Sequence, residues 1–316
     1  MSFPDPVRIA TNQIELSVHL SGPKDGVPVL LLHGWPELAR SWKHQIAALA
    51  KAGYQVIAPD LRGFGRSDAP KEPLAYGIDI LLADMTGLLD ALGVKKAIWV
   101  GHDWGGFISW PAALLVPDRV LGLIGVNTPH SPRAPADPIE LFRQSYGDDN
   151  YIVRFQEPGL AESIFEGHEA KFFDFIFGKP PPRKLSRTPP AATHFLKRFA
   201  KFEGAEESAL VMPAEERKIY AEAYAISGYT GGINLYRNLT ANWQRMDGVD
   251  YRVHQPSLMI GADLDFFLPP KLIDGMEDRI ADLEVHIIPE CGHWTQWEAP
   301  EQLSKLMVDW LDRRFG

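Results

Sequence analysis

The 316-residue chain has a single cysteine, Cys291, so no intramolecular disulfide can staple it. It also has no run of the eighteen or so consecutive apolar residues that a membrane span requires; stretches such as Val27 to Leu32 and Leu121 to Val126 are far too short. Positive charge is in short supply. With 32 basic against 41 acidic residues and a formal net charge of −9, there is no electrostatic footprint for a nucleic-acid backbone or an anionic membrane surface. The first residues, MSFPDPVRIATNQ, lack a basic region followed by an apolar one, and a cytoplasmic protein is the expectation. What is present, 45% hydrophobic and 23% charged residues, excludes a globally disordered chain. The length suits one core plus one sizeable insertion, and leaves a homodimer open.

Short apolar runs ending near Gly, Pro, Asp or Asn recur at Val29–Leu32, Val56–Ala58, Ile98–Val100, Leu121–Val126, Leu258–Ile260 and Val285–Ile288, as central strands of a mostly parallel sheet do. Between them Ile78, Leu81, Leu82, Met85, Leu88, Leu89 and Leu92 recur at three- and four-residue steps, which predicts a helix with one apolar face. The alternation argues for an α/β sheet covered on both sides. It fails between about 131 and 246, where aromatic and charged helical stretches follow the proline-rich SPRAPADP. The expected organisation is therefore a core from 1–130 and 247–316, interrupted by a mainly helical insertion at 131–246. Within the insertion, KPPPRKLSRTPP at 179–190 cannot form a regular helix and reads as an exposed loop.

The chemistry is signalled by Gly101-His102-Asp103-Trp104-Gly105-Gly106, placed directly after one predicted strand and before a helix. That is the context of a nucleophile elbow, in which flanking glycines make room for a strained residue with an exposed side chain. The central residue is Asp103 where serine hydrolases have Ser. A serine that displaced a group from saturated carbon would become an ether, which water cannot remove; an aspartate becomes an ester, which water can. Asp103 thus points to an sp3 electrophile, an epoxide or an alkyl halide. The plain alternative, a helix-capping aspartate, does not call for glycines on both sides.

An ester on Asp103 needs a base, a carboxylate to orient the base, and donors for an oxyanion. His293, in CGHWTQ, stands just past the last predicted strand, and Asp263 and Asp265, in GADLDFF, stand just past the strand before it. The carboxyl ends of parallel strands are where open α/β sheets place their sites. Backbone N–H groups of Trp35, in His33-Gly34-Trp35-Pro36, and of Trp104 are the candidate oxyanion donors. No metal or cofactor is implied: His168-Glu169 lacks the second histidine of a zincin motif, and DLRGFGRSD at 60–68 lacks the GK[ST] of a phosphate loop.

HGWP, GHDWGG, LDFFLPP and CGHWTQ, in this order, resemble the α/β-hydrolase-fold epoxide hydrolases, the family of the mammalian soluble enzyme's catalytic domain and many bacterial relatives. The resemblance implies an α/β-hydrolase fold with a mostly parallel central sheet flanked by helices and an inserted mainly helical cap domain. It selects Asp265 over Asp263, because the family's triad acid precedes an aromatic or aliphatic run ending in Pro. It also implies two cap tyrosines that hydrogen-bond the epoxide oxygen: Tyr151 in NYIVRFQEPG and Tyr236 in INLYRNLTANW. A phenol with a pKa near 10 carries its proton at neutral pH and can stabilise a forming alkoxide. The implied partners are a small apolar epoxide and water. A dehalogenase acting on haloalkanes or haloacids would share Asp103, His293 and Asp265, with the indoles of Trp104 or Trp35 facing the halide, but has no use for paired tyrosines. A non-catalytic receptor for a small ligand would explain the pocket but not the retention of nucleophile, base, acid and oxyanion loop together. The stretch from Gly178 to Glu216 matches no segment of the family.

Overall fold

The computed structural model describes residues 3–179 and 194–316, so the proline-rich segment at 179–190 lies, from 180 onward, outside the described residues. The strands are β1 (Pro6–Thr11), β2 (Ile14–Ser21), β3 (Pro28–Leu32), β4 (Gln55–Pro59), β5 (Ala97–His102), β6 (Val120–Val126), β7 (Ser257–Ala262) and β8 (Leu283–Ile288). They form one sheet in the order β1-β2-β4-β3-β5-β6-β7-β8. The first two strands are antiparallel to their neighbours, and β4 through β8 run parallel. β5 and β7 are buried along their whole length, which explains why they read as unbroken apolar runs rather than alternating ones.

The helices of the core are α1 (Lys43–Lys51), α2 (Ile78–Ala91) and α3 (Trp104–Leu115), followed, between β6 and β7, by α4 (Pro138–Tyr146), α5 (Tyr151–Arg154), α6 (Leu160–Phe165), α7 (Glu169–Ile176), α8 (Phe195–Lys201), α9 (Ala214–Ser227), α10 (Thr230–Arg237) and α11 (Leu239–Arg245). After β8 come α12 (Thr295–Glu298) and α13 (Pro300–Phe315). Strand alternation divides the core by face. Leu30, Leu32 and Trp99 pack with the apolar stripe of α2 and with α3, while Val29, Leu31, Ile98 and Val100 pack with α1 and α13. None of the helices in the described residues is long and apolar enough to cross a membrane.

The amino-terminal pair β1 and β2 is an addition to the sequence expectation. Its inward positions include Ser17 and His19, polar residues that hide the strand from an apolar-run criterion. Ser17 is satisfied by the Ser67 hydroxyl, which accepts from its N–H at 2.9 Å.

The helical insertion is not a separate globule. Its aromatic residues Phe155, Phe165 and Phe172 continue the cluster that lines one face of the sheet, and the Trp35 ring sits edge-on to Phe155, Phe172 and Tyr236 at 5.3–5.8 Å. Two glycines on α10 permit this approach: a Cβ on Gly231 would lie 2.5 Å from the Gly63 Cα, and one on Gly232 would lie 2.1 Å from the Trp35 ring. Gly63 belongs to the DLRGFGRSD loop, which is thus a bearing surface for α10. At the other side of the insertion, the buried Glu216 of α9 accepts from Lys43 at 2.6 Å and from Arg40, and the Tyr220 phenol meets the Ser41 hydroxyl at 2.7 Å.

Candidate active site

Asp103 occupies the turn between β5 and α3 with φ 50° and ψ −119°, a conformation that costs a non-glycine residue on the order of 1–3 kcal/mol and persists only where the surroundings enforce it. The enforcement is steric. A Cβ on Gly101 would lie 2.2 Å from the Gly105 carbonyl oxygen, and a Cβ on Gly105 would lie 2.0 Å from that of Leu32, so strand and helix can meet this tightly only through glycine. The Thr128 hydroxyl fixes the turn from outside by donating to the Asp103 carbonyl at 2.9 Å.

The Asp103 carboxylate is asymmetric. Oδ1 accepts from the Trp35 backbone N–H at 2.8 Å, and the Trp104 N–H also bonds the carboxylate. Oδ2 faces His293 Nε2 at 3.7 Å, too far for a hydrogen bond. The Asp103 side chain keeps 14% of its surface open and His293 keeps 5%, so the carboxylate is the more accessible of the two. Burial raises the Asp103 pKa, against the opposing pull of His293, His102 and the two N–H donors.

On its other side the His293 ring meets one of the two aspartates. Nδ1 lies 2.8 Å from Asp265 Oδ2, whereas the Asp263 carboxylate accepts from the Cys291 N–H at 3.4 Å. Asp265 is held by the N–H groups of Phe267 and Leu268, both at 2.9 Å, and by the Asn127 amide at 2.7 Å. Burial alone would raise its pKa; the His293 charge and these donors outweigh it and hold the carboxyl below the usual range. For His293 burial works downward, but the Asp265 carboxylate, with Asp103 and Glu37 beyond it, lifts the ring to about 9. The two acidic side chains that flank the ring thus both favour its imidazolium form. Asp103→Asn should lower the His293 titration seen by NMR, because the neutral amide removes one of the charges that stabilise the cation; an unmoved midpoint would mean that the two side chains do not sense each other.

Tyr151 begins α5, whose amino end is capped by the Asn150 side chain accepting from the Ile152 N–H at 2.9 Å, and Tyr236 lies near the end of α10. Their rings are 5.5 Å apart at 75°, and the Tyr236 ring stands on the Trp104 indole at 5.0 Å. Burial first, then the Asp103 carboxylate for Tyr151 and the Tyr151 phenol followed by Asp103 for Tyr236, push both phenols well above their usual pKa. Both are therefore proton donors within the field of Asp103. Tyr224 and Tyr229 are buried among aromatic side chains of the insertion.

Four residues beyond the expected set complete the arrangement. Asn127, at φ 61° just past β6, donates to Asp265 and accepts from the Thr295 hydroxyl at 2.7 Å. Glu37 follows HGWP directly, and its Oε2 accepts from the Gly34 N–H at 2.8 Å and meets His102 Nδ1 at 2.7 Å. His102 Nε2 in turn donates to the His293 carbonyl at 2.8 Å. Although burial opposes it, the His102 charge and these donors lower the Glu37 pKa to about 2. This chain of contacts ties the Trp35 loop, the end of β5 and the His293 loop together. The available signals were adjacency alone: Glu37 beside one motif, His102 inside another. Among the described residues no group of three or more His, Cys, Asp or Glu could hold a metal ion.

A carboxylate on a strained elbow, a histidine–carboxylate pair and the strand order define an α/β hydrolase, and the family model described as alpha/beta hydrolase fold matches residues 27–300. The chain is 37% identical to epoxide hydrolase A of Mycobacterium tuberculosis over 98% of both proteins. It is 36% identical to the bifunctional epoxide hydrolase 2 of Sus scrofa over 93% of its own length, and it spans 53% of that longer protein. The crystal structure of epoxide hydrolase A from Mycobacterium thermoresistibile superposes with a TM-score of 0.86 at 36% identity, covering 98% of each chain. This chain belongs to the α/β-hydrolase-fold epoxide hydrolases.

Proposed function

We propose that the chain converts an epoxide and water to a vicinal diol through a hydroxyalkyl ester on Asp103. One observation carries the reading: a single carboxylate is held by two backbone N–H donors, that of Trp35 on Oδ1, while Oδ2 stands 3.7 Å from His293 and two protonated phenols lie within the field of the group. The names of the relatives support it. Residues 131–246 act in this reading as a cap that delivers Tyr151 and Tyr236, while 1–130 and 247–316 supply nucleophile, acid and base.

In the first step Asp103 Oδ2 attacks one ring carbon, the carbon–oxygen bond breaks, and the departing oxygen is met by the phenols of Tyr151 and Tyr236. The alkoxide takes a proton from one phenol, and the resulting phenolate is reprotonated at the expense of the His293 imidazolium. Alkylation removes the Asp103 charge, one of those that raise the His293 pKa, so the ring gives up its proton more readily at the moment a base is needed. In the second step neutral His293, oriented by Asp265, takes a proton from water. The hydroxide adds to the ester carbonyl, whose oxygen is the Oδ1 already bound to the Trp35 N–H, with the Trp104 N–H as a second donor to the group. Collapse releases the diol, the Asp103 carboxylate and an imidazolium ready for the next cycle.

The two steps predict the fate of oxygen. With enzyme in excess over styrene oxide in H2(18O), the first-turnover diol should contain no heavy oxygen, and the Asp103 peptide should gain it on digestion. Labelled diol in a single turnover would mean direct attack by water on the ring and would reject the ester. Faster halide release from a chloroalkane than diol formation from styrene oxide would favour the dehalogenase instead.

A further inference from the structure

β8 closes the sheet and presents an unprotected edge. Edge strands in proteins that stay apart are blunted by proline, lysine, a bulge or a buried charge. The opposite edge has such devices: β1 begins with Pro6 and carries Arg8, which pairs with Glu15 and Asp68. β8, with the sequence LEVHII, has neither proline, lysine nor bulge and pairs with β7 in unbroken register; its one carboxylate, Glu284, is paired with Arg313 of its own chain. Val285 and Ile287 are each 42% exposed, and Leu272, next to the Ile273 that meets the same β7 glycine as Ile287, is 45% exposed.

The backbone is equally open. The carbonyls of Asp282 and Ile288 accept from Ser257 and Asp263, so the even-numbered residues of β8 face β7. The N–H and C=O groups of Leu283, Val285 and Ile287 consequently point outward, and no strand lies beyond them among the described residues. We propose that this edge docks a second copy of the chain, the two β8 strands pairing antiparallel about a two-fold axis at Val285.

The register follows from charge and direction. Outward groups must face outward groups, so the axis falls on a residue rather than between two. An axis at Glu284 would set that carboxylate against its own copy, and an axis at His286 would set imidazole against imidazole. An axis at Val285 sets Glu284 opposite His286 at two symmetric places, with Val285 against Val285 and Leu283 against Ile287 on the other face. Directly opposed side chains have Cβ atoms about 4.5–5.5 Å apart, close enough for both the apolar contacts and the carboxylate–imidazole hydrogen bonds. Within one chain Glu284 already holds His286 at 2.7 Å and Arg313 at 2.8 Å, so the carboxylate is oriented before a partner arrives. An isologous, closed pairing of this kind uses up both edges and does not propagate.

Sedimentation equilibrium on the full chain should find a dimer, and Val285→Lys should convert it to a monomer with an unchanged circular dichroism spectrum. The register has its own readout. Paired across the axis, the two Val285 Cα atoms would be about 5.5 Å apart, within the span of a disulfide, so Val285→Cys should cross-link under mild oxidation. Ile287→Cys should not, because its own copy lies four residues away along the strands. The native Cys291 is buried and does not interfere. A chain that is monomeric at every concentration, a dimer that survives Val285→Lys, or equal cross-linking at 285 and 287 would each overturn the proposal. None of these outcomes depends on the chemistry at Asp103.

Discussion

Replacing His293 with Gln should stop the protein after one equivalent of epoxide, with the opened substrate still attached to Asp103. Glutamine keeps a polar group of similar reach but cannot take a proton from water, so the hydrolytic step should fall by about 10⁴-fold or more. The alkylation step uses the Oδ2 lone pair and the two phenols, which the substitution leaves in place; without the imidazolium, the phenolate takes its proton from water instead. Mass spectrometry of the intact variant should show a gain equal to the whole epoxide, and digestion should place it on the peptide holding Asp103. A label on any other residue, or no label while diol formation is lost, would reject the assignment of nucleophile or base. Rapid mixing offers a second view: Trp35 and Trp104 flank the carboxylate, so ester formation should change their fluorescence, and that change should persist in the variant.

The tyrosines should show the complementary defect. Losing one preorganised donor to a developing oxyanion typically costs about 10²–10³ in rate, and Tyr151→Phe or Tyr236→Phe should each slow alkylation by about 10². The double variant should lose about 10⁴ or more, leaving the forming alkoxide without any donor. The pH dependence distinguishes this role from packing. Both phenols are pushed well above their usual pKa, so in the native protein they should remain donors through the whole alkaline range in which His293, near 9, loses its proton. Alkylation should therefore show no phenol titration below the point where the fold itself fails. A double variant that still forms the ester at the native rate would leave the phenols as mere walls.

Much of this site was visible in the sequence because its parts are local. Asp103 announces itself through glycines within two residues of it, and the strand-turn-helix context is set by residues 97–115. His293 and Asp265 could be placed because each closes a strand, although the spacing alone left Asp263 open; the Cys291 N–H that occupies Asp263 is a contact across 28 residues that no motif encodes. Asn127 was invisible for the same reason: its partners, Asp265 and Thr295, lie 138 and 168 residues away and meet it only at the edge of the folded sheet. The ribbon of β1 and β2 escaped because β1 is largely exposed and β2 interleaves the buried Ser17 and His19 with its apolar positions Leu16 and Val18. Patterning by hydrophobicity finds strands that bury carbon, not strands that bury well-partnered polar groups.

The position of Trp35 has a consequence for how substrate range can change. Its main chain holds Asp103 Oδ1, the oxygen that the proposed second step would charge, while its indole is the floor on which α10, the carrier of Tyr236, rests at a glycine. In the proposed mechanism, acid assistance and anion capture would therefore be measured off one residue, and a bulkier side chain at 232 or a smaller one at 35 should detune both at once. Room for larger or differently shaped epoxides has to be made on other walls.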